Sequence, residues 1–178
     1  MTSVSMLDAV SASAIKAIAP LLRGRIHSNS AGCFEFVKQY ATRNDPASEI
    51  AAIDTFATTN MLMNVGAAKG AIVDTEIHQK KPRVMVEIGA YTGCSTVRFA
   101  SAQRDAAQAS GVDSHYYSFE YSPEFAARAR EMVSLAGLDN QVTIIEGAFS
   151  EQLHRLQSNP VDVRTCTSTY LVHDRELN

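Results

Sequence analysis

Residues 83–88 read Arg-Val-Met-Val-Glu-Ile, a short, β-branched and nearly continuous apolar run, and Gly89 and Gly93 follow at once. A strand buried on both faces reads this way. Ser95 to Ala109 then carries Val97, Phe99, Ala100 and Ala107 on a helical pattern. The alternation repeats. His115–Glu120 is strand-like, and Ser122-Pro123-Glu124 supplies a capping hydroxyl, a first-turn proline and a first-turn acid, a helix start. Phe125, Ala129, Met132 and Ala136 line one face of that helix, Gly137 closes it, and Gln141–Glu146 is a third strand. Strand-helix-strand-helix-strand with crossovers of this length predicts a parallel sheet wound right-handed, an α/β fold with helices on both faces.

Upstream, Leu7, Val10, Ala14, Ile18 and Leu21 recur at helical spacing, so Met6–Leu22 reads as an amphipathic surface helix that Pro20 breaks. The polar, small-residue run Arg23–Gly32 reads as a linker or loop. Helices are expected over Cys33–Arg43, from Ser48 onward, and over Ala67–His78. Glu49 falls in a first turn, where the helix dipole favours negative charge.

At 178 residues the chain fits one domain, and 46% hydrophobic with 20% charged residues excludes wholesale disorder. Sixteen Lys+Arg against 19 Asp+Glu give a net charge of -3, with no surplus of positive charge to hold a nucleic-acid backbone. The most apolar N-terminal stretch carries Asp8 and Lys16, too short and too charged to span a membrane. The three cysteines, Cys33, Cys94 and Cys166, form neither a disulfide framework nor a metal clip, which favours a reducing, cytoplasmic setting.

Ligands of open parallel sheets sit outside the carboxyl ends of the strands, where the winding reverses. The first such loop is Glu87-Ile88-Gly89-Ala90-Tyr91-Thr92-Gly93-Cys94-Ser95. Its G-x-x-x-G spacing matches neither the dinucleotide fingerprint nor the P-loop, which disfavours a nicotinamide dehydrogenase. Gly89 lets the backbone approach a ligand, and the amides near Gly93–Ser95 face it with the positive end of a helix. Glu120 ends the second strand, where a carboxylate accepts hydrogen bonds from a ribose diol. A ribose diol together with a carboxylate, without pyrophosphate, describes S-adenosylmethionine, and Glu87 can accept from its ammonium group. Each residue also has a plainer reading: Tyr91 as an aromatic capping the sheet, Ser95 as a helix N-cap, Glu120 as a solvated strand-end acid.

Three stretches together carry a family resemblance: Ala51-Ala52-Ile53-Asp54-Thr55-Phe56, Met63-Asn64-Val65-Gly66-Ala67-Ala68-Lys69-Gly70 and Val86–Ser95. With Glu120 before a proline-containing helix start, Ala136-Gly137-Leu138 and Val142-Thr143-Ile144 leading to Gly147-Ala148, the chain resembles the catechol O-methyltransferases from about Phe36 to Leu156. The resemblance implies a Rossmann-like methyltransferase fold and transfer of a methyl group from S-adenosylmethionine to a catechol hydroxyl with Mg²⁺ bound. By position it puts Met63 near the methyl group, Val65 on the cofactor through its backbone, and Glu87 at the amino group. Gly89, Tyr91 and Ser95 then shape the methionine end, Glu120 binds the ribose, Tyr121 lies along the adenine, and Ala148 and Phe149 stand at its edge.

After the third strand the match is expected to stop. Val161-Asp162-Val163 starts like the family's next strand, but Arg164–Thr169 breaks the apolar run, and His173-Asp174-Arg175 replaces the family's Asp-His and lysine. No lysine follows Lys81, so the family's base has no counterpart, and Asp174 is the single weak metal candidate. The organisation expected is an N-terminal helix and linker (1–30), an S-adenosylmethionine-binding domain (31–160) and a divergent tail (161–178), with the last strands absent. A sheet ending there leaves an edge open to pair with a second copy. The expected activity is catechol methylation or, with the metal cradle and base missing, cofactor binding by a pseudoenzyme acting through a protein partner.

Overall fold

The structure, a computed structural model, describes residues 12–156 and 161–166. Three helices come first: α1 (Ala12–Tyr40), α2 (Pro46–Ala57) and α3 (Gly66–Lys80). Then β1 (Val84–Ile88), α4 (Cys94–Gln108), β2 (His115–Glu120), α5 (Pro123–Leu135) and β3 (Val142–Glu146) alternate. The short α6 (Phe149–Gln152) and a 3₁₀ turn (Leu153–Leu156) lead to β4 (Val163–Cys166).

Local chemistry explains the helix starts. The Asp45 carboxylate accepts from the Ser48 amide at 3.0 Å ahead of α2, with Pro46 in the first position. Ser122 and Pro123 play the same parts for α5. The four strands lie in the order β3-β2-β1-β4, and every pairing is parallel. The chain therefore winds one way through β1, β2 and β3 and returns to the far side of β1. The reversal puts the switch point at the carboxyl ends of β1 and β4, where open α/β sheets take their ligands.

The sheet separates two apolar clusters of unequal depth. Met85, Tyr116 and Val142 face the larger one, with Val97, Phe99, Met132 and Val133 from α4 and α5 and Cys33, Val37, Ile53 and Ile77 from the outer helices. Val86, Phe119 and Ile145 face the smaller one with Leu156, and Phe149 and Val161 pack against it. Helices thus cover both faces, thickly on one side and with α6 and its 3₁₀ turn on the other.

Two polar staples hold the amino ends of the strands. The buried Gln103 amide nitrogen reaches the carbonyls of Pro82, Arg83 and His115 at 3.1–3.2 Å, and its oxygen accepts from Gln141. The Asp162 carboxylate accepts from the amides of Arg83 and Val84 at 2.8 and 3.0 Å, pinning the approach to β4 onto β1.

Two sequence expectations are corrected. Arg23–Gly32 is not a loop but the interior of α1, and Pro20 lies within the same helix. Packing overrides the weak helix preference of Gly32: Ser30 is fully buried and the Phe56 ring lies 3.3 Å from where a Cβ on Gly32 would stand. Arg164–Cys166 does not break a strand but belongs to β4, because the free edge of β1 offers a backbone ladder from Met85 to Ile88 that any non-proline residue can satisfy. Glu49 does fall in the first turn of α2, as expected. It is fully buried against α1, and both of its carboxyl oxygens lack a hydrogen-bond partner among the described residues. Residues 6–11 of the expected first helix lie outside the described residues.

Burial pushes the Glu49 pKa up from 4.5 to about 8, and Glu49 in turn helps burial raise the neighbouring Cys33 thiol to about 12. An acid with a higher pKa folded than unfolded holds its proton longer in the native state. Its contribution to stability is whole below pH 4.5 and is lost as pH rises through about 8. We expect thermal stability to fall across that window, and the difference between Glu49→Gln and the parent to shift in favour of the variant as pH rises. Melting curves at closely spaced pH values check this, and a difference that stays constant with pH refutes it.

Candidate functional site

The carboxyl ends of β1 and β2 converge on two glutamates. Glu87, fully buried, accepts from Ser95 Oγ at 2.5 Å, Thr96 Oγ1 at 2.5 Å and Ser118 Oγ at 2.6 Å. These hydroxyls come from the first turn of α4 and from the residue of β2 that pairs with Glu87. Three donors are what a carboxylate removed from water needs. The nearby Tyr116 phenol, also buried, has its pKa raised first by burial and then by the Glu87 charge.

Glu120 sits one residue beyond the β1–β2 register and is 8% exposed. One of its oxygens accepts from the Tyr91 amide and the other from the Ser122 amide, both at 2.8 Å. A carboxylate offers about four acceptor positions, so each oxygen keeps capacity for a further donor. Around it the strand exits are tied together: the Gly89 amide donates to the Phe119 carbonyl at 2.8 Å and the Gly147 amide to the Glu120 carbonyl at 2.9 Å.

The loop from Gly89 to Gly93 is shaped by left-handed backbone. Tyr91 adopts φ 49 although it carries a side chain, and its phenol donates to the Ile26 carbonyl of α1 at 2.8 Å while its ring meets Phe125 edge-on at 4.9 Å. Gly93, at φ 86, is the N-cap of α4, and a Cβ there would stand 3.2 Å from the Ala129 Cα. Thr92, buried in the same loop, has a hydroxyl without a hydrogen-bond partner among the described residues.

The structure thus brings Glu87, Gly89, Tyr91, Ser95 and Glu120 into one hydrogen-bonded edge. The Tyr91 ring packs on Phe125 and α1, and Gly93, not Ser95, is the N-cap of α4. Met63 is half-buried in the segment before α3, and Val65 packs on the larger core as the N-cap residue of α3. Tyr121 is 78% exposed. Ala148 is the extended N-cap of α6, and Phe149 meets Phe119 edge-on at 4.9 Å on the opposite face of the sheet from Glu87. Asp174 lies outside the described residues. Thr96 and Ser118 were missed; the signal for Ser118 was a small hydroxyl set between aromatic residues in an otherwise apolar strand. Among the described residues no three His, Cys, Asp or Glu side chains are grouped to hold a metal ion.

A parallel sheet with a winding reversal and a glycine loop opening a helix define a Rossmann-like α/β domain. A family model described as a methyltransferase domain matches residues 86–174, half of the chain, and the chain belongs to that family. The match runs past Leu156 through β4, so the resemblance does not stop where the motifs do. The chain is 35% identical over 166 residues to the catechol O-methyltransferase of Bos taurus, covering 92% of this chain and 57% of that one. It is 35% identical over 138 residues to catechol O-methyltransferase B of Danio rerio, covering 77% and 49%. It spans about half the length of these curated relatives. Among solved structures, cofactor-bound Rv0187 from MTB shares 25% identity and a TM-score of 0.55 over 68% of this chain and 53% of its own. The O-methyltransferase from Bacillus cereus in complex with SAH shares the fold at 21% identity and a TM-score of 0.52, over 68% and 53%.

Replacing Gly93 with alanine forces a side chain into left-handed backbone and against the Ala129 main chain. We expect Gly93→Ala to cost about 1–2 kcal/mol or more, seen as a fall of several degrees in melting temperature. An unchanged melting curve contradicts the close approach of α4 and α5.

Proposed function

We propose that this chain binds S-adenosylmethionine over the carboxyl ends of β1 and β2 and works as an O-methyltransferase of the catechol type. The observation that carries the reading is Glu120, a strand-end carboxylate whose two oxygens are aimed by one backbone amide each. A ribose diol presents two donors to such a group, and a bidentate arrangement fixes the sugar's orientation. The likeness to catechol O-methyltransferases supports the choice of reaction, and the SAH named for the Bacillus cereus neighbour supports the choice of ligand.

The residues present fit the group. Glu87 supplies negative charge for an ammonium, and its oxygens are held in place by three hydroxyls. The first turn of α4 turns its positive end toward a carboxylate, and the buried Thr92 hydroxyl is a further polar atom in that loop. When bound, S-adenosylmethionine supplies an electrophilic methyl group on a sulfonium. The protein's part is to orient it and to hold the sulfonium close to the acidic strand ends. Among the described residues no three His, Cys, Asp or Glu side chains converge to hold Mg²⁺.

Calorimetric titration with S-adenosylmethionine tests the site. We expect Glu120→Gln to weaken binding at least about tenfold, the value of a hydrogen bond to a charged group. Methyl transfer from labelled cofactor to catechol in the presence of Mg²⁺ tests the reaction. A folded parent chain that takes up none of the compound at millimolar concentration overturns the reading. Uptake without transfer removes the catechol reaction and leaves the pseudoenzyme in its place.

A further inference from the structure

We propose that α1 is a ligand-coupled strap: the single turn Ile26–Ser30 holds the three segments that surround the candidate site, so filling the site tightens the helix and releasing the helix weakens the site. This rests on the cofactor reading above and adds to it a regulatory element outside the strand ends.

The first tie is the Ile26 carbonyl, which accepts from the Tyr91 phenol at 2.8 Å. A helix carbonyl has two lone pairs, so this bond adds to the helical one. Tyr91 is also the residue whose amide aims Glu120. Its left-handed backbone is costly for a side chain and persists only where surrounding contacts over-determine it. The second tie is Asn29, whose amide nitrogen donates to the Met61 carbonyl at 2.7 Å. It fixes the non-helical residues 61–65, which carry Met63 and Val65 into α3. The third tie runs to the first turns of α5, directly after Glu120. His27 lies 4.7 Å from the Phe125 ring and meets Glu124 at 2.8 Å, while Arg128 bridges Glu124 and the buried Ser30.

One turn of one helix therefore touches the loop after β1, the first turns of α5 and the segment before α3. Residues 18–25 of α1 are exposed throughout, so the described docking begins at Ile26. α1 is anchored in the larger core through Cys33 and Val37, and residues 26–30 lie at the boundary where its packing gives way to the exposed residues 18–25, an edge whose local opening a ligand can bias. Linkage makes the bias reciprocal: if the ligand favours the Tyr91–Glu120 arrangement, a docked α1 favours the ligand by the same factor.

The test uses the full chain and S-adenosylhomocysteine. Hydrogen exchange read by mass spectrometry is expected to slow several-fold across residues 26–30 when the ligand saturates, a change that a merely structural helix does not make. In parallel, Tyr91→Phe, which deletes only the phenol hydroxyl, is expected to raise the Kd about three- to tenfold, as the loss of one hydrogen bond does. Asn29→Ala is expected to act in the same direction, and Leu21→Ser, on the exposed part of α1, to leave the Kd unchanged. If Asn29→Ala fails to fold, exchange in the parent chain and the Tyr91→Phe affinity decide. Ligand binding with unchanged exchange at 26–30, or with parent affinity in Tyr91→Phe, overturns the strap and leaves the cofactor reading standing. No binding by the parent chain overturns both.

Discussion

A carboxylate buried at the end of β1 organises this molecule. Taking Glu87 out of water costs several kcal/mol unless donors replace the solvent, and the donors come from two other elements: Ser95 and Thr96 on α4, Ser118 on β2. Satisfying one charge therefore fixes where α4 begins relative to both strands. From that position follow the left-handed N-cap at Gly93, its close approach to Ala129 on α5, and the direction of the first-turn amides. Glu49 meets the same cost in the opposite way. It has no donors within reach among the described residues, and its pKa near 8 keeps it neutral at pH 7. One buried acid is solvated by the protein and the other keeps its proton. The first can hold a charge beside a ligand, and the second only packs α2 against α1.

The alternating half of the chain was legible because two-sided burial and helical periodicity both leave marks in sequence. Val84–Ile88, His115–Glu120 and Val142–Glu146 are strands as their apolar runs imply. Ser122-Pro123 starts its helix through the very hydroxyl and ring that suggest it. The reading failed where tertiary contact, not local preference, decides. Arg23–Gly32 has the composition of a loop but from Ile26 onward is held helical by what it touches: Tyr91, Met61 and α5. Arg164–Cys166 has no apolar pattern, yet an unfilled ladder on β1 accepts it. Backbone partners leave no signature at all, so neither the Ile26 carbonyl nor the amides that aim Glu120 were visible beforehand.

The candidate site shows the same division. Acids at strand ends and glycines in the following loop are chemistry that sequence displays, and Glu87, Gly89 and Glu120 do meet at one edge. Their orientation was not displayed. Tyr91 turns its ring away toward Phe125 and α1 and offers the site its amide, not its face. Consecutive residues diverge as strand geometry ends: Glu120 is 8% exposed and Tyr121 is 78% exposed.

Sheet order then explains why the strand-end acids collect at this edge. Because the chain reverses after β3, β1 has parallel partners on both sides, with Ile88 level with Phe119 on β2 and with Cys166 on β4. In open α/β sheets such a reversal of winding marks the place at the strands' carboxyl ends where ligands bind. The amino ends of the strands receive the contrary treatment: Gln103 and Asp162 occupy their amides and carbonyls and leave little for a ligand to bond. Polar side chains close the sheet at one end and stand ready at the other, and that asymmetry is what separates scaffold from site in this fold.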